Sequence, residues 1–322
     1  MEGIQQMLSE HGYNIQSEIG WGTFSHCYLC VSQKYKITFV AKVIDIANSL
    51  HKKSFEVSFY QELTTLTKLI HPNVINIYDS FSDNNYFVLI LEYCPNGNLE
   101  EYIKKNSPIK ESEILNFARQ ILEVLSYCHQ NNICHHDIKP CNIFIDNFNR
   151  VKLADFGIAQ IIQQHEKSIV YGGSIPYMPP EVFRKLPYNS FKADVWAFGV
   201  TLFQLVSGGK LPFFGLNIVE IYDSICKCKY ELPPICNPTI EQLIRHSLDL
   251  DVDHRWSSQQ LCDYINSSLN HSIINPLKYR VRAKLNNKRQ SSSKVFYENL
   301  HLNSPIVVIP VIRRNKSNEE FQ

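Results

Sequence analysis

The sequence predicts an α+β protein in two parts: a small antiparallel β-sheet with one helix, then a larger, mainly α-helical body. Three patterns predict it. Residues 13–45 alternate apolar and polar side chains and are rich in β-branched and aromatic residues, the period of strands with one buried face. Residues 53–70 change to a helical stripe of Phe55, Phe59, Leu63, Leu66 and Leu69–Ile70, apolar every three to four positions. Beyond the turn formers Tyr93-Cys94-Pro95-Asn96-Gly97-Asn98, the chain keeps to helical periodicity.

The first region divides into three strands, roughly Tyr13–Ile19, His26–Ser32 and Ile37–Ile44. Its first turn holds Gly20-Trp21-Gly22-Thr23-Phe24-Ser25, and glycines there let backbone amides approach phosphate oxygens. Pro72 ends the helix over 53–70. Two more strands follow, about Val74–Ser80 and Phe87–Glu92. Residues 93–97 then form a hinge between a lobe over 13–92 and a lobe over 98–266. In the second lobe Ile114, Phe117, Ile121, Leu122 and Leu125 mark one long amphipathic helix from Ser112 to Gln130. The short apolar runs Ile143–Ile145 and Val151–Ala154 predict a hairpin closed by the turn at Asp146–Arg150. The polar stretch Gln160 to Gly173 predicts a mobile loop. Val195 to Val206 predicts an apolar helix.

From about Ser267 the character changes. Lys278, Arg280, Arg282, Lys284, Lys288, Arg289 and Lys294 are interspersed with polar residues and no acids. Residues 267–322 therefore predict a basic, mostly disordered tail, which suits an acidic partner or surface. Pro305-Ile306-Val307-Val308-Ile309-Pro310 is an apolar island within it.

The chain of 322 residues is 44% hydrophobic, enough for a large core. Lys+Arg number 32 against Asp+Glu 31, so no global field draws the molecule to nucleic acid or membrane. The start carries no apolar signal segment, and no later run is long enough to span a bilayer. The expected location is the cytoplasm, or the nucleus. The ten cysteines are scattered and read as reduced thiols; Cys226-Lys227-Cys228 has no matching second pair to make a zinc site.

The densest chemistry lies in His135-His136-Asp137-Ile138-Lys139-Pro140-Cys141-Asn142 and in Asp155-Phe156-Gly157. The intervening hairpin brings Asp137, Asn142 and Asp155 to one edge. Two carboxylates, an amide and Lys139 gathered there suit Mg²⁺ and a polyphosphate, because hard cations take oxygen ligands. These two strings resemble the catalytic and metal-binding loops of the eukaryotic protein kinases, Ser/Thr type. The resemblance runs from about Tyr13 to Asn266 and implies the bilobal kinase fold. It implies that Asp137 accepts the proton of a protein Ser or Thr hydroxyl, that Lys139 steadies the transferring phosphoryl group, and that Asn142 and Asp155 hold Mg²⁺. It further places ATP against Ile19, Gly20, Gly22, Ser25, Cys27 and Val40. Lys42 reaches the α- and β-phosphates and pairs with Glu62, while the backbone of Glu92 and Cys94 meets adenine beside Leu91. Ser174 bridges the catalytic Asp and Lys, Asp194 ties down the catalytic loop, and Arg255 pairs with Glu181.

Departures from the family pattern are Ser25 for the third glycine, Cys27 for a valine, Val40 for a small residue, Pro179 for an alanine, and His136 for an arginine. That arginine holds a phosphorylated loop elsewhere in the family, so His136 predicts little dependence on loop phosphorylation, although Ser168, Tyr171 and Ser174 offer hydroxyls. Asn98 and Cys141 stand where family members that favour basic substrates carry acids. The subgroup stays open between calmodulin-dependent-kinase-like and NIMA-related. The alternative to phosphoryl transfer is a pseudokinase scaffold; it predicts damage at Lys42, Asp137 or Asp155, and all three are intact.

Overall fold

The alternation over residues 13–45 does produce strands. The computed structural model describes residues 2–21, 25–46, 52–162, 168, 173–185, 187–233 and 237–270, all within one compact unit. Among them five strands form one antiparallel sheet: β1 (Tyr13–Trp21), β2 (Ser25–Ser32), β3 (Thr38–Asp45), β4 (Ile77–Ser82) and β5 (Tyr86–Glu92), in the order β1-β2-β3-β5-β4. Two-residue periodicity gives the sheet two faces. On β3, Val40 and Ile44 pack with the main core, together with Leu89 and Leu91 of β5. Phe39, Ala41 and Val43 belong instead to a second core with Val88 and Ile90.

That second core is closed by a helix the sequence reading missed, α1 (Glu2–Glu10). Its Ile4, Met7 and Leu8, spaced i, i+3, i+4, bury against the outer face of the sheet. A nine-residue stripe of three apolar positions is a faint signal. The folded unit thus begins before residue 13.

The helix expected over 53–70 is α2 (Lys52–Lys68). Leu69 still donates its N–H to Thr65, but Ile70 points outward instead of extending the stripe. The strand expected at Val74–Ser80 starts later because Val74 and Ile75 turn into the core. Ile75 donates its N–H to the Leu153 carbonyl (2.9 Å), and Leu153 donates to that of Asn73 (2.7 Å), which ties this connection to the far hairpin.

The second lobe is largely helical. It comprises α3 (Leu99–Asn106), α4 (Glu111–Gln130), α5 (Pro180–Phe183), α6 (Ser190–Ser207), α7 (Ile218–Lys227), α8 (Pro238–Ser247) and a helix over 258–270. Asn98 and Glu101 form a capping box that starts α3. α6 is buried along most of its length and starts five residues before the expected Val195, at the Asn189 cap; Gly208 ends it in the left-handed region. The expected boundary at residue 266 falls inside the last helix, because Leu261, Cys262 and Ile265 are buried and Leu269 packs on the same core. Short strands carry the functional loops: β6 (Ile133–Cys134) pairs with β9 (Gln160–Ile161), and β7 (Ile143–Ile145) with β8 (Val151–Leu153). Residues 271–322, including the basic stretch and the apolar island, lie outside the described residues. No described helix is long and apolar enough to cross a membrane.

Candidate active site

Strand register aims Lys42 into the cleft. It stands between Cys27 of β2 and Leu89 of β5, on the face opposite α1. From α2, Glu62 grips its ammonium with both oxygens, at 2.9 Å (Oε1) and 2.7 Å (Oε2), and Asp155 Oδ1 lies 2.8 Å from the same nitrogen. Burial alone would push the Lys42 pKa down, but the two carboxylates outweigh it and hold it above the ordinary lysine value. Lys42 in turn is the main cause that holds the Asp155 carboxyl below its usual range. The Asp155 side chain is 47% exposed and that of Glu62 2%, so Asp155 is the carboxylate open to an incoming cation. Asp155 has φ 64°, a left-handed backbone uncommon for a residue with a Cβ. Phe156 beside it is fully buried and meets the His135 ring edge-on at 4.7 Å.

The catalytic loop hangs from one buried carboxylate. Asp194 accepts the backbone N–H of His135 at Oδ2 and of His136 at Oδ1, both at 2.8 Å, and His129 Nε2 lies 3.1 Å from Oδ2. Burial pushes Asp194 upward, but the His129 hydrogen bond and the neighbouring histidines prevail, so its carboxyl stays below the ordinary range. Loop closure follows from this anchor: His136 adopts φ 67°, and His135 Nε2 lies 2.9 Å from the Ala154 carbonyl.

Asp137 meets its partners just beyond. Lys139 Nζ is 2.6 Å from Oδ2, Asn142 Nδ2 donates to Oδ2 and to the Asp137 carbonyl at 2.9 Å, and Ser174 N–H donates to Oδ1 at 3.1 Å. Lys139 also donates to Ser174 Oγ at 2.7 Å. Burial would lower the Lys139 pKa; the hydrogen bond to Asp137 more than restores it. With its nitrogen turned to Asp137, Asn142 has its amide oxygen left for a cation; Cys141 Sγ lies 3.7 Å from it. Amide oxygen and half-exposed carboxylate are the hard donors that Mg²⁺ selects, so Asn142 and Asp155 fit that ion.

The hinge is equally specific. Glu92 commits its N–H to the Asn76 carbonyl (2.9 Å), and the Cys94 carbonyl accepts from Gly97 N–H (3.2 Å). Among the described residues the Cys94 N–H has no backbone acceptor, so it is a donor that a ring nitrogen can use. Leu91 is buried opposite Val40. In the glycine-rich turn, Gly20 pairs with Cys27 and has open space where a Cβ would stand. Ile19 is half exposed and Ser25 starts β2. Gly22, with Thr23 and Phe24, lies outside the described residues.

The expected mobile loop over Gln160 to Gly173 falls mostly on residues 163–167 and 169–172, which lie outside the described residues, but its described parts are held in place. Gln160–Ile161 is strand, and Ile162 is buried. Ser168 bridges Tyr188 by reciprocal backbone bonds of 3.0 and 3.2 Å and donates its hydroxyl to Gln160 Oε1 (2.9 Å). At 4% exposed, Ser168 is not an available hydroxyl. Tyr171 lies outside the described residues. Further down, Arg255 is fully buried and bonds Glu181 through both terminal nitrogens, at 2.7 and 3.2 Å, as the motif implied.

Comparison with known proteins agrees with this geometry. Residues 13–265 match the protein kinase domain family. The chain belongs to that family, and it is of the Ser/Thr type. This kinase is 31% identical over 250 residues to a probable serine/threonine-protein kinase of Dictyostelium discoideum, covering 78% of this chain and 30% of the relative. It is 37% identical over 199 residues to the mitosis inducer protein kinase cdr1 of Schizosaccharomyces pombe, covering 62% and 33%. With serine/threonine-protein kinase SIK1 of Mus musculus it shares 31% over 260 residues, covering 81% and 33%. The matched part thus spans about a third of the length of these relatives.

Sequence reading missed two supports of the site. Lys152 and Glu92 form an ion pair of 2.9 Å, with Lys152 buried under the hinge. Ser58 and Gln61 of α2 donate to the carbonyls of Gly157 and Ala159. The signal for the second was their spacing, four and one residues before Glu62.

Proposed function

We propose that this kinase transfers the γ-phosphoryl group of ATP to Ser or Thr hydroxyls of protein substrates. The observation that carries this is the meeting of two clusters, Lys42–Glu62–Asp155 and Asp137–Lys139–Ser174, across Asn142. Phosphoryl transfer through a loose transition state needs position and neutralised charge more than covalent help. Lys42, held by Glu62, faces the α- and β-phosphates. Lys139 faces the γ-phosphate while Ser174 fixes its direction. Asp137 takes the hydroxyl hydrogen bond and, as the oxygen attacks, the proton. Ser174 and Asn142 hold that carboxylate on both sides, so its geometry is set before substrate arrives. Asn142 and Asp155 would hold Mg²⁺, which when bound neutralises phosphate charge.

The test is transfer of radiolabelled phosphate from ATP to a generic protein substrate, wild type against Asp137→Asn. Transfer by wild type, with loss in the variant and retained ATP binding, is the expected result. Normal transfer by Asp137→Asn would overturn the assignment. An inactive wild type that still binds nucleotide would favour the scaffold alternative. The basic stretch over 277–294 supports a second reading, of the chain's partners: an acidic surface held by salt-sensitive contacts. Deletion of residues 277–294 is expected to change localisation or activity.

A further inference from the structure

Glu62 fixes Lys42, but Glu62 needs fixing too. It sits on α2, whose preceding connection, residues 47–51, lies outside the described residues. Two other side chains of α2 tie the helix to the metal-binding loop. Ser58 donates its hydroxyl to the Gly157 carbonyl at 2.9 Å, and Gln61 Nε2 donates to the Ala159 carbonyl. Positions 58, 61 and 62 share one helix face by the i, i+3, i+4 rule. The three polar residues therefore form a single stripe facing Asp155-Phe156-Gly157.

The approach is close. A Cβ on Gly157 would stand 3.0 Å from Ser58 Oγ, 3.6 Å from Asp155 Oδ1 and 3.8 Å from Glu62 Oε2. Glycine at 157 admits the Ser58 hydroxyl to a spot beside both carboxylates that hold Lys42. Both tethers end on backbone carbonyls, so they set helix against loop without adding charge beside the phosphates.

We propose that Ser58 and Gln61 are positioning residues for phosphoryl transfer: they hold α2 against the metal-binding loop and so keep Glu62 on Lys42. Without them α2 is held by its apolar face alone, through Phe59 and Leu66, and its Glu62 end can swing outward. Lys42 then keeps Asp155 as its only carboxylate, and both are drawn off the phosphate and cation positions. The proposal rests on the reading of this chain as an ATP-dependent kinase.

The experiment compares Ser58→Ala, Gln61→Ala, the double variant and the conservative Ser58→Thr in the full chain. It reads kcat, KM for the protein substrate, thermal midpoint, and amide exchange over residues 155–162. Each single loss is expected to lower kcat about 3- to 10-fold, the rate equivalent of one hydrogen bond. The double variant falls further, and Ser58→Thr restores most of the rate. KM for the protein substrate stays unchanged, because Asp137, Lys139 and Ser174 are untouched. Thermal midpoints stay within about 4 °C, while exchange over 155–162 quickens. A double variant with wild-type kcat and wild-type exchange would overturn the proposal, as would a rate loss that merely tracks unfolded protein. The exchange readout needs no catalysis, so it decides the tether even if wild type transfers no phosphate.

Discussion

Lys42 carries one positive charge and faces two carboxylates of different standing. Glu62 is buried and bonds Lys42 with both oxygens; Asp155 is half open and is free to meet a cation as well. Removing one partner of a buried pair typically costs about 3–5 kcal/mol, because the other charge is left uncompensated. Beyond that stability cost, Lys42→Met removes a preorganised charge and is expected to cut transfer about 100-fold or more, measured as initial rate at saturating ATP. A rate within about tenfold of wild type would show that the triad does not orient phosphate. His136 poses a different problem of charge. Burial is the main cause that pushes its imidazole below the ordinary range, against the pull of Asp194. Unfolded, the same side chain takes up a proton near pH 6.5. As pH falls below that value, the unfolded chain binds more protons than the folded one, so folding stability drops. The contribution is complete above about pH 6.5 and is lost as pH falls toward the folded pKa. His136→Asn keeps a side chain that tolerates φ 67° and removes the titration. Its urea midpoint should fall less than that of wild type between pH 7.5 and 5.5; equal falls would refute the role of this histidine.

Among elements, α1 is the one whose function lies farthest from its position. It covers the outer face of β3 through Phe39, Ala41 and Val43, while the other face of that strand presents Lys42 to the cleft. A strand with one face bare would expose a contiguous apolar patch. Leu8 is fully buried there, so Leu8→Ala is expected to lower stability by about 2–5 kcal/mol. Equilibrium denaturation of the full chain measures this, and a loss under about 1 kcal/mol would mean that α1 is dispensable. How legible each element was depended on the length of its signal. The strands of the first lobe and α4 carried long periodic runs, and their expected ranges are met to within about two residues at most ends. The grouping of Asp137, Lys139, Asn142 and Asp155 was legible because loop chemistry is compressed into short strings. α1 was not, since Ile4, Met7 and Leu8 gain meaning only from a sheet they meet across the fold. Ser58 and Gln61 left only their spacing before Glu62 as a signal, for a related reason: their partners are carbonyls, which leave no mark in side-chain identity.

At the scale of the whole molecule, the cleft stands assembled through contacts that do not call on a phosphorylated loop. Asp194 pins the catalytic loop by two backbone N–H groups, and Arg255 holds Glu181. The segment after Asp155 is fastened at β9 against β6, at Ser168 against Tyr188, and at Ser174 against Asp137 and Lys139. At the position where the family pattern has an arginine for a loop phosphate, this chain has a partly buried imidazole 3.4 Å from the Tyr188 hydroxyl. Held below its ordinary pKa, that imidazole is neutral at pH 7 and offers a phosphate dianion none of the charge-assisted bonding of a guanidinium. Activity is therefore expected to persist when the loop carries no phosphate. Full-length protein treated with phosphatase, and shown by intact mass to be unmodified, should transfer phosphate at a rate within about twofold of the untreated protein. A fall of more than tenfold, a difference of about 1.4 kcal/mol in the barrier, would mean that a phosphate on the segment completes the site. The contacts through Ser168 and Ser174 would then be too weak to hold the segment by themselves.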